Sequence, residues 1–238
     1  MRLDQALVAQ GIARSRTQAA RAIADGKVTV DGRVITRAAH RVGENNAISA
    51  AVGPWVSRAA HKLIGALDQS GQQVPQRVLD AGASTGGFTQ VCLARGARRV
   101  YAFDVGHHQL APQLAEDPRV VRRDGLNLRN LELTDVDDQP VGMVVADVSF
   151  ISLTLLLPRL LGVLADDGVA MLLVKPQFEV GKHLVGAGGI VREEAHRLAA
   201  VERVVASARE LGWRSDWQAP SVLPGSDGNQ EHFVRLAS

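Results

Sequence analysis

Five polar residues recur directly after short apolar runs. Asp80 follows Val78-Leu79, Asp104 follows Val100 to Phe103, Asp124 follows Val120 to Arg123, Asp147 follows Met143 to Ala146, and Lys175 follows Val169 to Val174. Carboxylates and an amine gathered along one edge could hold hydroxyl groups, face a cationic ligand or move a proton. One polar residue at a strand end often serves solubility alone. Five in succession point to a ligand crevice beyond the carboxyl ends of parallel strands. Between the first two acids, Gly82, Gly86, Gly87 and Gly96 surround a helix that carries Val91, Cys92 and Leu93. Strand, glycine turn, helix, strand and acid make a nucleotide-type half-fold, in which glycine admits a ligand close to the backbone and the acid takes both ribose hydroxyls. The spacing G-x-x-x-G-G departs from the dinucleotide fingerprint G-x-G-x-x-G and favours a ligand without pyrophosphate, S-adenosylmethionine over NAD. A glycine turn that merely packs helix on strand stays open as the plainer alternative.

The elements that must position these residues alternate. A strand over Val78–Asp80, the glycine helix and a strand over Val100–Phe103 are followed by a helix to about Glu116, then strands at Val120–Arg123 and Met143–Ala146. A Leu-rich helix over Leu153–Leu164 and a strand at Val169–Val174 come next. This order predicts an α/β fold with a mostly parallel sheet covered on both faces. Pro176 to Ile190, with four glycines, reads as a mobile loop over the site. Arg192 to Leu211 is a long amphipathic helix, and the tail from Arg214 holds two strands joined by a turn at Pro224–Gly228, with His232–Leu236 the last. Ser57 can open a helix with Ala60, Leu63, Ile64 and Leu67 on one face. By spacing alone, Lys62 falls nearly opposite that stripe and reads as solvated, and Glu231 reads as a surface acid beside a turn.

The chain has 238 residues with 46% hydrophobic and 22% charged, which suits one large globular domain plus a small one. Net charge is only +2, but residues 1–50 carry eight Lys/Arg against four acids, +4, which leaves −2 for the remainder. A basic head on a near-neutral body points to a polyanion met by the head. The single Cys92 cannot form an internal disulfide and fits a reducing, cytoplasmic setting. Arg2, Asp4 and Gln10 interrupt any signal-peptide core, and Pro158, Arg159, Asp166 and Asp167 break the most apolar stretch, so a soluble protein without membrane association is expected. His107 and His108 are adjacent, poor geometry for joint ligation, and no metal is expected.

In the head, Leu3, Leu7, Val8 and Ile12 follow helical spacing, and Gly11 closes that helix. Ser15-Arg16-Thr17-Gln18 is a capping box opening a second helix with Ala19, Ala20, Ile23 and Ala24 on one face. Lys27–Val30, Asp31-Gly32 and Arg33–Ile35 read as a hairpin. Arginines at a helix start combine with its positive dipole end, so Arg2, Arg14, Arg16, Arg21 and Lys27 are the candidate RNA-binding residues, against the alternative of a solvated basic face. GIARSRTQAARAIADGKVTVDGRVI resembles the RNA-binding domain named after ribosomal small-subunit protein four. The expected boundaries are a small α+β RNA-binding domain at 1–52, a linker at 53–58 around Gly53-Pro54-Trp55, and a catalytic domain at 59–238.

VSRAAHKL, LDAGASTGGFT, DVG, VVADVSFISL, VKPQFEVGK, GAGGIV and GNQEHF resemble the TlyA family along nearly the whole chain. Those proteins are ribosomal RNA 2′-O-ribose methyltransferases, many of them named hemolysins, whose catalytic part is similar to the FtsJ-type enzymes. The resemblance implies a Rossmann-like S-adenosylmethionine-dependent methyltransferase with a seven-stranded sheet, and a Lys-Asp-Lys-Glu tetrad. By motif, S-R-x-x-x-K-L gives Lys62, A-D-x-S-F gives Asp147, V-K-P-Q-F-E gives Lys175 and G-N-x-E gives Glu231. Longer family members carry basic extensions at both ends. With a first helix near Met1 and only two residues after Leu236, the chain is more similar to the short subgroup, which implies cytidine in large-subunit (23S) rRNA, with small-subunit (16S) rRNA as the wider option.

A ribose 2′-hydroxyl is a weak acid, so the site must align oxygen, methyl and sulfur and remove a proton as attack develops. A lysine serves as base only when neutral, and a neighbouring cation with partial desolvation favours that form. Lys175 is therefore expected as general base beside Lys62, with Asp147 and Glu231 holding the two amines. Gly82, Ser84, Gly86 and Gly87 are expected to line the methionine half of the cofactor, Asp104 to take the ribose hydroxyls and Asp124 the adenine amine. Asp80, Phe88 and Asp147 complete the expected cofactor set. The rivals are a base methyltransferase, a pore-forming hemolysin and a ribosome-assembly binding protein. The first usually shows [DN]-P-P-[YF] where Asp147-Val148-Ser149-Phe150 stands. Expected partners are ribosomal RNA or a ribosomal subunit, with the oligomeric state open between monomer and weak dimer.

Overall fold

The computed structural model describes every residue except Arg14, Glu44, Ala51 and Val52, and the side chain of Lys182. The chain divides into two compact units, Met1–Trp55 and Val56–Ser238.

In the first unit, helices α1 (Leu3–Ala9) and α2 (Arg16–Ala24) precede strands β1 (Val28–Val30), β2 (Arg33–Val34) and β3 (Ile48–Ala50). The three strands form an antiparallel sheet with β1 in the middle, Thr29 opposite both Val34 and Ser49. Ser15 caps α2, its hydroxyl accepting from the Gln18 N–H at 3.2 Å, while the Gln18 amide also donates to the Trp55 carbonyl at 3.5 Å. Leu3, Leu7, Ala19, Ile23, Val28 and Val30 fill a small core. The third strand is not legible in GENNAISA, whose only large apolar residue is Ile48, because three partly exposed residues are too few to show a period.

The second unit comprises α3 (Ala59–Ser70), β4 (Arg77–Ala81), α4 (Gly87–Ala94), β5 (Arg99–Asp104), α5 (Pro112–Ala115), β6 (Val120–Asp124), β7 (Val141–Ala146), α6 (Leu157–Leu161), β8 (Leu164–Val174), α7 (Pro176–Glu179), α8 (Glu194–Glu210), β9 (Arg214–Pro220) and β10 (His232–Ala237). The seven strands run in the order β6-β5-β4-β7-β8-β10-β9, parallel through β8, with β10 antiparallel to both its neighbours. Central strands sandwiched between layers must be apolar on both faces. Val78, Leu79, Val144, Val145 and Ala146 accordingly have no exposed surface. Each such Val or Leu contributes roughly 1.5–3 kcal/mol by leaving water.

Four sequence-based expectations change. The helix after Asp104 shrinks to α5, because Val105 to Ala111 folds as bends, with Gly106 and Leu126 N–H groups bonded back to Asp104. The Leu-rich helix breaks at Pro158, whose ring cannot follow a full turn of hydrogen-bonded helix, into a short 3-10 turn (Leu153–Leu155) and α6. Strand β8 starts five residues earlier than its apolar run, carrying exposed Asp166 and Asp167 in its first half. The segment after Lys175 is not an open loop throughout: it holds α7 and 3-10 turns at Lys182–Leu184 and Ala187–Gly189.

Candidate active site

The sheet is laid down outward from β4 to β6 and then resumes on the other side of β4 with β7. A crevice opens at that reversal, beyond the carboxyl ends of β4 and β7. The turn after β4 crosses the start of the segment after β7 at Gly82, which has φ +83°. A Cβ there would stand 2.9 Å from the carbonyl oxygen of Asp147, so only glycine permits the crossing. Gly87 does the same for the helices: a Cβ would lie 3.1 Å from the Ala60 nitrogen, so its absence lets α4 start against α3.

Four elements bring the two amines and two of the acids together. Helix α3 carries Lys62, buried at 5% exposure, and its Nζ donates to Glu231 Oε2 at 2.5 Å. Glu231 sits just before β10. The ladder between β10 and β8 reaches His232 against Val174, and the residues just beyond it, Glu231 and Lys175, both line one cavity. Lys175 follows β8, Asp147 follows β7, and Lys175 Nζ lies 2.7 Å from Asp147 Oδ1. That contact is an ion pair without hydrogen-bond alignment; the amine's directed bond goes to Ser149 Oγ at 2.8 Å. All four side chains line one cavity of about 370 Å³, with Asp80, Gly82, Ser84, Gly87 and Phe88 on the same walls.

Spacing alone misjudged Lys62 and Glu231. Lys62 is off the main apolar stripe of α3, yet a partner 169 positions away in sequence covers it. Glu231 is 2% exposed. Burial pushes its carboxyl above the usual range, against the pull of Lys62 and Lys175. Such a pair is held in a low-dielectric setting, where breaking it leaves an uncompensated charge.

A second cavity of about 750 Å³ adjoins the first, sharing Gly82, Ser84, Asp147, Ser149 and Phe150 with it. Asp104 lies on its wall. Its Oδ2 accepts from the Ser84 N–H at 2.8 Å and its Oδ1 from the Gly106 N–H at 2.7 Å, and each oxygen keeps a lone pair for a ligand hydroxyl. Asp80, in β4 at the wall of the first cavity, is fully buried. Thr89 Oγ1 donates to its Oδ2 at 2.6 Å, while Oδ1 has no hydrogen-bond partner among the described residues. Burial raises this carboxyl to about 7, partly countered by Thr89 and added to by Asp147 and Asp104.

Two expected cofactor residues are not among those that line these two cavities. Asp124 is off both walls, its Oδ2 taken by the His108 N–H at 2.8 Å, because the chain between β5 and α5 folds back over it. Leu126 and Asn127 reach the second cavity instead. Gly86 also faces away; its missing side chain makes room for Leu110 and Leu114. In the first unit Arg2, Arg16, Arg21 and Lys27 are all on the surface, the first two held by Asp4, while Arg14 lies outside the described residues.

Other residues were missed because their work is support. Glu179, 2% exposed, accepts from Ser152 Oγ at 2.6 Å and from the Leu153 N–H at 2.7 Å, tying the turn after Lys175 to the segment after Asp147. Asn229 is fully buried, its Oδ1 accepting from the Val191 N–H at 2.9 Å and its amide donating to the Gly189 carbonyl at 2.8 Å. The motifs V-K-P-Q-F-E and G-N-x-E contain both, as the last member of the first and the second member of the other, beside Lys175 and Glu231. Phe150 has φ +65°, is 92% exposed and stands at the mouth against Phe178; periodicity gives no hint of it. Among the described residues no group of three His, Cys, Asp or Glu could hold a metal ion, and no helix is long and apolar enough to cross a membrane.

A parallel sheet that reverses at an acid-lined crevice beside a glycine turn defines a Rossmann-like methyltransferase, the class that uses S-adenosylmethionine. Residues 55–238 match the FtsJ-like methyltransferase model and residues 1–48 the S4 domain model. Along 99% of this chain and 89% of its own length, a Mycobacterium tuberculosis protein named 16S/23S rRNA (cytidine-2′-O)-methyltransferase TlyA is 48% identical. Hemolysin A of Brachyspira hyodysenteriae is 36% identical over 99% of both chains. A solved structure from Streptococcus thermophilus that carries a hemolysin name superposes with a TM-score of 0.79 at 36% identity, covering 99% of this chain and 87% of that one. The chain belongs to the FtsJ-like methyltransferase family, in its TlyA branch, with an S4 domain at its N-terminus.

Proposed function

We propose that this protein methylates the 2′-hydroxyl of a cytidine in ribosomal RNA, with 23S rRNA the favoured substrate and 16S rRNA the wider one. The observation that carries the reading is the convergence of Lys62, Asp147, Lys175 and Glu231 on one cavity, continuous with a second that suits an adenosine. The name of the M. tuberculosis relative, which specifies cytidine 2′-O-methylation of both rRNAs, supports it.

The residues fit S-adenosylmethionine. Asp104 offers two lone pairs to ribose hydroxyls, the glycine crossing at Gly82 leaves backbone open to the methionine half, and the orphaned Asp80 Oδ1 suits a cationic group. The bound cofactor supplies a methyl electrophile on a sulfonium. Lys175, as a neutral amine, takes the 2′-hydroxyl proton on Nζ while Ser149 Oγ and Asp147 fix that nitrogen. Lys62, locked by Glu231 on the same cavity, helps to orient the hydroxyl. Positioning of oxygen against methyl can supply ~7 kcal/mol or more of the barrier reduction. Basic residues of the S4 domain would grip the RNA backbone, with base identity and local shape selecting the nucleotide.

The test is transfer of radiolabelled methyl to purified ribosomal subunits and free rRNA, followed by mapping of the mark. An alkali-resistant dinucleotide at a cytidine is the expected product. A mark on a base, or haemolysis by purified protein that survives loss of Lys175, would replace this reading.

A further inference from the structure

In the first unit, Asp4 is a buried acid on a small basic surface. It is 3% exposed, and among the described residues its carboxylate accepts four hydrogen bonds. Oδ1 accepts from Arg2 Nε at 2.9 Å and from the Gln5 N–H at 3.1 Å. Oδ2 accepts from Arg2 Nη2 at 3.2 Å and from Arg16 Nη2 at 3.1 Å. Hydrogen bonds from Arg2 first, and then from Arg16, hold the carboxyl down to about 2 against the opposing effect of burial. The two guanidiniums are 14 positions apart in sequence and are joined through this one group. Both stay open to solvent, at 42% and 61% side-chain exposure. The start of the chain is pinned as well: Arg2 bridges Arg41 as a short antiparallel pair, and the Met1 ammonium donates to the Val42 carbonyl at 2.7 Å.

A guanidinium carries five N–H donors in a planar fork, so an arginine that spends one or two on a carboxylate still presents the rest. Long side chains lose rotamer freedom when they grip a ligand, at a cost that a preset geometry avoids. We propose that Asp4 is a positioning residue that fixes Arg2 and Arg16 side by side as a fork for one RNA backbone phosphate. The pairing has a net charge of +1, enough to attract phosphate, and its geometry is set before RNA arrives. This rests on the reading of the protein as an RNA methyltransferase, and it assigns a role to an acid where charge alone would assign only repulsion.

That opposition makes the test sharp. Affinity of the full chain for a 23S rRNA transcript is measured by filter binding at several salt concentrations, for wild type, Asp4→Asn, Arg2→Ala/Arg16→Ala and the triple variant, with folding checked by circular dichroism. Asp4→Asn removes a negative charge, so simple electrostatics predicts tighter binding. The positioning role predicts binding about tenfold weaker, the cost of ordering two long side chains, and almost no effect of Asp4→Asn once both arginines are gone. Unchanged or tighter binding by Asp4→Asn overturns the proposal, as does equal weakening in both backgrounds, which would mean support of the fold alone. If Asp4→Asn does not fold, Asp4→Glu keeps the charge and shifts it by one methylene; a folded Glu variant with wild-type affinity overturns the proposal, and a weakened one supports it. Arg2→Ala/Arg16→Ala with unchanged binding would remove both arginines from the RNA face and the proposal with them. Wild-type protein that binds the transcript, shows this pattern, and never methylates it would defeat the proposed reaction and leave the fork standing.

Discussion

The two lysine–carboxylate pairs of the crevice are built from the same chemistry and set in different surroundings. Lys62 and Glu231 are 6% and 2% exposed, meet at 2.5 Å, and come from positions 169 apart. Lys175 and Asp147 are 11% and 17% exposed, meet at 2.7 Å, and share their contact with Ser149. The first pair is the more deeply buried, and the second keeps more of its surface exposed and adds a hydroxyl partner. On the proposed mechanism the locked pair would fix a charge in place and the more exposed pair would react.

The largest effect should come from the more exposed pair. Lys175→Arg keeps the cation and removes a group that can become neutral, so methyl transfer should fall by about 10³-fold, within the range for loss of a general base, while calorimetry finds cofactor affinity within threefold of wild type, a margin allowed as ~0.6 kcal/mol. The locked pair should answer in stability. Glu231→Gln leaves the Lys62 charge buried without its partner and should lower the urea-unfolding free energy by ~3 kcal/mol, whereas Asp147→Asn in the more exposed pair should lower it by less than ~1 kcal/mol. Equal losses would erase the distinction between the pairs.

Further along the crevice, Asp104→Ala removes the acceptor facing the second cavity and should weaken cofactor binding by about tenfold or more, the worth of one charge-assisted hydrogen bond; an unchanged dissociation constant would remove Asp104 from that role. The last effect, seen only as a pH dependence, concerns Asp80. Its folded-state value near 7 lies above the ordinary carboxyl value, so the folded protein holds a proton that the unfolded chain releases. Its contribution is therefore fully present below about pH 4 and is lost as pH rises toward about 7. Asp80→Asn should abolish this slope, and its urea midpoint should gain on wild type between pH 5 and pH 8; parallel profiles would contradict the assignment.

Much of this crevice could be read from residue order, and some of it could not. The acids in the last two positions of β4 and β5, the acid after β7 and the lysine after β8 are legible because a parallel strand buried on both faces must be apolar, so the first polar residue marks its end to within a position. Asp124 fits that rule and still misses the cavity, since the rule gives the height of a residue in the sheet and not the path of the next loop. Lys62 and Glu231 escape periodicity because burial came from contacts distant in sequence; motif likeness alone brought them together. Glu179 and Asn229 were invisible for another reason. Each satisfies backbone N–H groups of a segment whose shape was unknown until folded. The Leu-rich stretch misled because a run of leucines has no period of its own, and Pro158 decided the break.

The most direct measurement of the division of labour is a pair of single-turnover methyl-transfer rates on the same rRNA, with saturating cofactor, for Lys62→Arg and Lys175→Arg. Both variants keep a cation, so only the capacity to become neutral and the fit of the pair are changed. The account predicts that Lys62→Arg transfers at least tenfold faster than Lys175→Arg, about 1.4 kcal/mol in barrier. Equal rates, or a faster Lys175→Arg, would contradict it.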